Sequence, residues 1–255
     1  MPNIVACFKW VVDEAYIRKG ASGALDFSAV DYKISDYDRN AIEEAARLKG
    51  LHGGTVTVLT AGPPEAAKGV KDALSRGGDQ AFFAGDPTFS QLESSQTAAI
   101  LGEIIRSCIP YDLIICGEGS SDQYAQQVGP RLAENLGIPC ISYVQRLTIG
   151  EGGQITAERR VEEGVEVVDA PLPVVVTVLP EINIPRIPGV KDTLMASKKP
   201  VVAIKKEDLT PVGAAPLLTL GMTATRMERN GEIFAATPEG ITGFVEALQK
   251  RGVIS

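Results

Sequence analysis

The run Leu113-Ile114-Ile115-Cys116-Gly117-Glu118-Gly119-Ser120-Ser121-Asp122 reads as a strand, a loop of small residues and the start of a helix. Three aliphatic residues followed by a thiol suit a strand covered on both faces, as in a parallel sheet. At the carboxyl end of such a strand, a small-residue loop leaves backbone N–H groups free at a helix N-terminus, where the helix dipole favours anions. Gly117 and Gly119 allow close backbone approach, Ser120 and Ser121 bring hydroxyl donors, and Asp122 is the expected N-cap. The spacing is not G-x-G-x-x-G, because Asp122 stands in place of the third glycine, and no G-x-x-x-x-G-K-[ST] run occurs. By itself the stretch serves equally well as a capped strand-to-helix turn with no ligand.

Working outward, further strand-like runs span Ile4 to Phe8, Thr55 to Leu59, Gln80 to Ala84 and Cys140 to Tyr143. Helical periodicity lies between them. Residues 38–48 align Ile42, Ala45 and Ala46, residues 94–108 align Ala98, Leu101, Ile104 and Ile105, and residues 123–136 align Ala125, Val128, Leu132 and Leu136. Such alternation predicts a doubly wound, mostly parallel Rossmann-like α/β sheet. Parallel strands would gather Lys9 to Asp13, Thr60 to Pro64 and Gly117 to Asp122 at one edge, where ligands of open α/β sheets bind. Trp10 there could cover a ring or belong to the core. After Tyr143, strand-like runs at 144–149, 154–160, 165–168 and 173–179 predict a hairpin extension, with Glu158 to Glu166 as its solvated part. The prolines of 180–188 predict an extended surface loop. A short helix at 190–197, a linker at 206–232 and a helix at 238–251 follow, the last two forming a C-terminal arm.

Composition narrows the chemistry. The chain has 255 residues, 25 Lys and Arg against 32 Asp and Glu, and a formal net charge of -7, so no basic field favours nucleic acid. His52 is the sole histidine, which argues against Ser-His-Asp triads, Cys-His dyads and His-based metal sites. Cys7, Cys108, Cys116 and Cys140 show no C-x-x-C spacing, and a reduced, cytoplasmic setting is expected. With neither a secretory leader nor an apolar span in view, no stable membrane insertion is expected. No catalytic group set and no metal cluster emerges. A nucleotide-binding chain of this kind is a binder, a carrier, or half of a site completed by another subunit.

At this point the sequence resembles the beta subunit of electron transfer flavoprotein. The resemblance runs from Phe8-Lys9 through Ser35-Asp36-Tyr37-Asp38 and Asn40 to Lys49, then Asp122 to Gly129. It ends in Leu172-Pro173-Val174-Val175-Val176-Thr177, Asn183, Pro185-Arg186 and Lys198-Lys199. The wording of 119–129 is similar to the branch found in bacterial carnitine-type operons. The resemblance implies a fold like that of adenine nucleotide alpha-hydrolases and a heterodimer with an alpha subunit that carries most of the FAD contacts. Electrons would pass between an acyl-CoA dehydrogenase-type flavoenzyme and a quinone or ferredoxin-linked acceptor, the chain being a carrier rather than an enzyme.

Carried over by position, the nucleotide site implied by the resemblance comprises Cys7, Lys9, Ser35, Asp36, Tyr37, Asp38, Ala61 and Gly62. It continues through Gly117, Glu118, Gly119, Ser120, Ser121, Asp122, Gln123, Tyr124, Ala125, Gln126, Gln127 and Val128. Members that bind AMP carry Asn-Gln-Thr-Gly where this chain has Gln126-Gln127-Val128-Gly129. Electron-bifurcating members, with a second FAD, carry Ala-Gln-Val-Gly, and Val128 and Pro130 lean that way, while Gln126 fits neither. AMP and a second FAD both stay open. Val190, flanked by Ile187 and Leu194, matches the partner-dehydrogenase anchor, against the plainer reading that Val190 caps a local core. The implied division is 1–180 as nucleotide-binding domain, 181–205 as partner-recognition loop and short helix, and 206–255 as linker and arm packing on the alpha subunit. The competing class is a stand-alone adenine-nucleotide-binding regulatory or hydrolytic protein; the sequence has neither a P-loop nor a Ser-Gly-Gly-x-Asp-Ser loop to support it.

Overall fold

A computed structural model describes residues 1–20, 24–224 and 231–254. In chain order the strands of its main sheet are β1 (Asn3–Cys7), β2 (Thr55–Gly62), β3 (Gln80–Gly85), β4 (Leu113–Gly117), β5 (Cys140–Ile149), β6 (Gln154–Val161), β7 (Gly164–Pro171), β8 (Val174–Val178) and β9 (Val201–Ile204). The helices are α1 (Asp36–His52), α2 (Ala67–Ser75), α3 (Ser94–Cys108), α4 (Val128–Leu136), α5 (Val190–Ala196) and α6 (Pro238–Lys250). Across the described residues the sheet order is β7-β6-β5-β8-β4-β1-β2-β3-β9. From β9 to β5 every pairing is parallel, and β6 and β7 add antiparallel strands at one end. This is the doubly wound α/β sheet with hairpin extension that the alternation predicts.

Strand side chains alternate faces, so each buried strand feeds two cores. Ile4, Ala6 and Phe8 of the first segment, with Leu113, Ile115, Val174 and Val176, meet Ile42, Ala45 and Leu48 of α1 and Val70 and Leu74 of α2. Val5, Cys7, Ile114, Cys116 and Val175 point the other way, onto Ala98, Leu101 and Ile105 of α3 and Leu132 of α4. Full burial of each such valine, leucine or isoleucine side chain stabilises the fold by about 1.5–3 kcal/mol. Trp10, on a short ribbon formed by Trp10–Val12 with Tyr32–Ile34, packs against the first core. Gly69 leaves it room: a Cβ there would lie 2.6 Å from Cε3 of Trp10.

Two expectations are corrected, and two elements are added. The runs at 140–143 and 144–149 form one strand, β5, parallel to β8 in its first half and antiparallel to β6 in its second. Tyr143 takes a φ of 62° where one pairing gives way to the other, and the pairing with β8 shifts register there. α2 and β9 carry no expectation from the sequence, because Pro63-Pro64, Gly69 and Pro200 interrupt their patterns. The helix expected from Gln123 begins only at Val128, because Tyr124 and Gln126 adopt φ of 48° and 57°, a conformation no helix continues through. Pro130 is tolerated in its first turn, where an N–H has no partner within the helix, and Gly137 closes it with a left-handed φ of 69°.

The chain divides into two units, Met1–Arg18 with Asp26–Leu220, and Lys19–Leu25 with Gly221–Ser255. In the first unit, residues after β9 continue over α3: Thr210 N–H donates to both carboxylate oxygens of Glu103 at 3.0 Å, and Leu209 and Val212 pack on the second core. In the second unit, α6 has no buried residue, and the rings of Phe234 and Phe244 meet edge-on at 5.6 Å. Among the described residues no helix is long and apolar enough to cross a membrane.

Candidate functional site at the strand-order reversal

Counting outward from β1, the chain proceeds to β2 and β3 on one side and to β4 on the other. The helix pairs α1/α2 and α3/α4 accordingly cover opposite faces. Ligands of such sheets enter beyond the carboxyl ends of the strands at this reversal, and there the loops after β1 and β4 meet the start of α1.

Asp38, in the first turn of α1, is 6% exposed and fastens both loops. One carboxylate oxygen accepts the N–H of Lys9 at 2.8 Å and the other accepts the N–H of Gly117 at 3.1 Å. Burial raises this carboxyl to about 7, against the pull of those two hydrogen bonds. Ser35 and Ser121 add a second tie. Ser121 N–H donates to Ser35 Oγ at 3.2 Å, Asp36 N–H donates to Ser121 Oγ at 3.0 Å, and the two hydroxyls lie 3.4 Å apart. Ser35 therefore serves the loop after β4 rather than capping its own helix.

The loop itself is built around glycine. A Cβ on Gly117 would come within 2.7 Å of Asp38 Oδ1 and of Tyr37 Cβ, and one on Gly119 within 2.6 Å of the Tyr124 ring. The close approach anticipated at these glycines is thus made by the protein's own groups. Tyr124 packs on Tyr37 with ring centroids 5.2 Å apart and donates its hydroxyl to Glu118. Glu118 is 7% exposed, and burial raises its carboxyl above the ordinary range, opposed by that hydroxyl.

Asp122 does not cap a helix. It forms an ion pair with Lys9 Nζ at 2.6 Å and accepts from Ser120 Oγ at 2.5 Å and Gln123 N–H at 2.8 Å. Burial pushes its carboxyl up, but the Lys9 charge and these donors hold it below the usual value. Gln127 is the residue that precedes α4, and no side chain caps that first turn. Its Oε1 instead accepts from Arg131 Nε at 3.0 Å. Gly129 packs tightly on β8, where a Cβ would lie 2.3 Å from Thr177 Cγ2.

Not every expected residue sits in this knot. Cys7 and Cys116 are buried beneath it in the second core, and the Cys116 thiol is pushed up first by its hydrogen bond with Cys7 and then by burial. Ala61 and Gly62 end the adjacent strand β2, where Gly62 C=O accepts from Asp86 N–H at 3.1 Å. Ala125, exposed, and Gln126, half-buried, lie in the stretch before α4. Ile187, Val190 and Leu194 lie elsewhere, 92%, 80% and 65% exposed, so Val190 caps no local core.

The donor set at the reversal fits a phosphate group. The uncapped first turn of α4, the Ser120 hydroxyl and the partly exposed Lys9 ammonium suit phosphate oxygens. Among the described residues no group of three or more His, Cys, Asp or Glu could hold a metal ion. Residues 23–209 match the electron transfer flavoprotein domain, whose members are flavin-associated electron carriers rather than catalysts. That span takes in Ser35 to Asp38, the loop after β4, every strand of the main sheet but β1, and the exposed aliphatic segment, and exceeds half of the 255 residues, so the chain belongs to the electron transfer flavoprotein family.

Proposed function

We propose that the chain is the beta-type subunit of a heterodimeric electron transfer flavoprotein and holds an adenine nucleotide where the loops after β1 and β4 meet α1. The observation that carries this reading is the buried Asp38 carboxylate joining Lys9 N–H and Gly117 N–H beside the uncapped start of α4. Bound flavin supplies the redox chemistry of such a carrier. The chain's own residues bind and orient: Lys9, Ser120 and the first turn of α4 face the phosphates, while Asp38, Ser35 and Ser121 hold the loops in register.

In this reading FAD rests mainly on the alpha subunit, and the nucleotide held here is a second FAD or AMP. Val128 and Pro130 favour the second FAD and an electron-bifurcating role. The exposed Ile187, Val190 and Leu194 support segment 181–205 as the contact for an acyl-CoA dehydrogenase-type flavoenzyme, with a quinone or ferredoxin-linked acceptor beyond. Leu217, Leu218 and Leu220, exposed by 65%, 78% and 93%, and the unburied α6 support 206–255 as an arm that packs on the alpha subunit. A cytoplasmic carrier is the setting proposed.

Denaturing the purified heterodimer and separating the released nucleotides tests this directly. Two FAD per heterodimer supports the bifurcating form, and one FAD with one AMP supports the simple carrier. A preparation without flavin absorbance and without adenine nucleotide overturns the reading, as does ATP turnover by the isolated chain.

A further inference from the structure

Segment 183–189 has a polar side and an apolar side, each repeating every three residues. Ile184 and Ile187 stand 92% exposed. Asn183 and Arg186 turn the other way, onto α1. Asn40, 5% exposed, donates through Nδ2 to the carbonyls of Pro180 and Asn183 at 3.0 and 2.9 Å and to Asn183 Oδ1 at 3.1 Å. Asn183 Nδ2 answers to Asn40 C=O at 3.1 Å and to Glu44 Oε2 at 3.2 Å. Glu44 is fully buried and is held by Arg47 through Nε at 3.0 Å and Nη2 at 2.5 Å.

Three residues on, Arg186 grips Glu43 with its backbone N–H at 3.0 Å, Nε at 2.7 Å and Nη2 at 2.8 Å. Arg76 Nη1 takes the Arg186 carbonyl at 3.0 Å. A segment without regular structure is thereby fixed at two points on α1 and α2, with its aliphatic side chains left pointing to water. Docking a segment that is already ordered avoids the loss of chain freedom that otherwise weakens a small interface.

We propose that Asn183 and Arg186 are positioning residues, which order Ile184, Ile187 and Val190 for a flavoprotein partner before it arrives. This rests on the reading of 181–205 as the partner contact. Neither residue belongs to the loop knot around Asp38, so their loss leaves nucleotide content intact.

The test follows flavin reduction of the whole heterodimer by a substrate-reduced acyl-CoA dehydrogenase, titrated over a range of concentrations. Four proteins are compared: wild type, Val190→Glu, Glu43→Arg, and the exchange Glu43→Arg with Arg186→Glu. Glu43→Arg is expected to raise the half-saturating concentration about tenfold while the limiting rate stays within about twofold, and the exchange restores it because the ion pair is rebuilt with reversed polarity. If Val190→Glu impairs docking and Glu43→Arg does not, the positioning role is wrong and the partner contact stands. If Glu43→Arg lowers flavin content and limiting rate together and the exchange fails to recover them, the two residues are merely structural. If Val190→Glu changes nothing, the partner contact itself falls, and the positioning role with it.

Discussion

Asp38 and Gly117 belong to different elements, yet the buried carboxylate of one accepts the backbone N–H of the other at 3.1 Å. Through its second oxygen Asp38 also accepts from Lys9, so an asparagine there keeps only one of the two donors. Burial dominates its ionisation and sets its value at about 7, against 3.8 as a free side chain. A carboxyl whose value is raised by folding contributes stability that is complete below about 4 and is lost as pH rises through about 7. Asp38→Asn is therefore expected to match the wild type in urea unfolding near pH ~5 and to overtake it by about pH 8, while retaining nucleotide less well. A wild-type lead that grows with pH contradicts this assignment.

Gly117→Ala and Gly119→Ala separate two kinds of crowding. The first places a Cβ 2.7 Å from Asp38 Oδ1 and 2.9 Å from the Tyr37 backbone carbon, which cannot swing aside. A loss of about 1–3 kcal/mol is expected. The second meets only the ring of Tyr124, which is 44% exposed and can rotate away, so less than about 1 kcal/mol is expected. Equal shifts in thermal midpoint for both variants would remove the distinction.

Lys9→Met tests the proposed phosphate contact with little penalty to folding. Lys9 and Asp122 are both partly exposed, and such ion pairs contribute about 0–1 kcal/mol. The nucleotide dissociation constant is expected to rise about tenfold, with a flatter salt dependence, as one cation is withdrawn from the phosphates. An unchanged dissociation constant at low and high salt would place Lys9 outside the site.

Truncation after Leu220 removes most of the second unit. The sheet unit is expected to unfold cooperatively as before, because both cores lie within it, while co-purification with the proposed alpha subunit is lost. Retention of that partner by the truncated chain, judged by gel filtration, would take the arm out of the interface.

The sheet was legible wherever apolar runs were uninterrupted. β4 and the bounds of α3, Ser94–Cys108, follow from local pattern, since α3 has regular apolar spacing. The start of α4 was hidden because Tyr124 and Gln126, not glycines, take the left-handed conformations that delay it. The Asp38 clasp is a tertiary fact: its acceptors and donors are 29 and 79 residues apart in the chain, and no local pattern encodes such a pairing. Resemblance placed Ser35 to Asp38 among the candidate residues, but their physical task, fastening loops from within, comes from the geometry. The clamp of Asn183 and Arg186 on α1 is likewise invisible in a proline-rich stretch that reads as surface loop.

The exposed aliphatic side chains of each unit have a consequence for how much of this protein a cell can keep. Leu217, Leu218, Leu220 and Met222 are more than half exposed, and so are Ile233 and Ile241. Whatever covers them adds to the stability of the folded chain by mass action. With the proposed alpha subunit as that cover, abundance is set by its supply, since copies made in excess stay open to aggregation and proteolysis. In the proposed heterodimer, matched synthesis of the two chains follows as a requirement, written into the residues that the folded chain leaves in water.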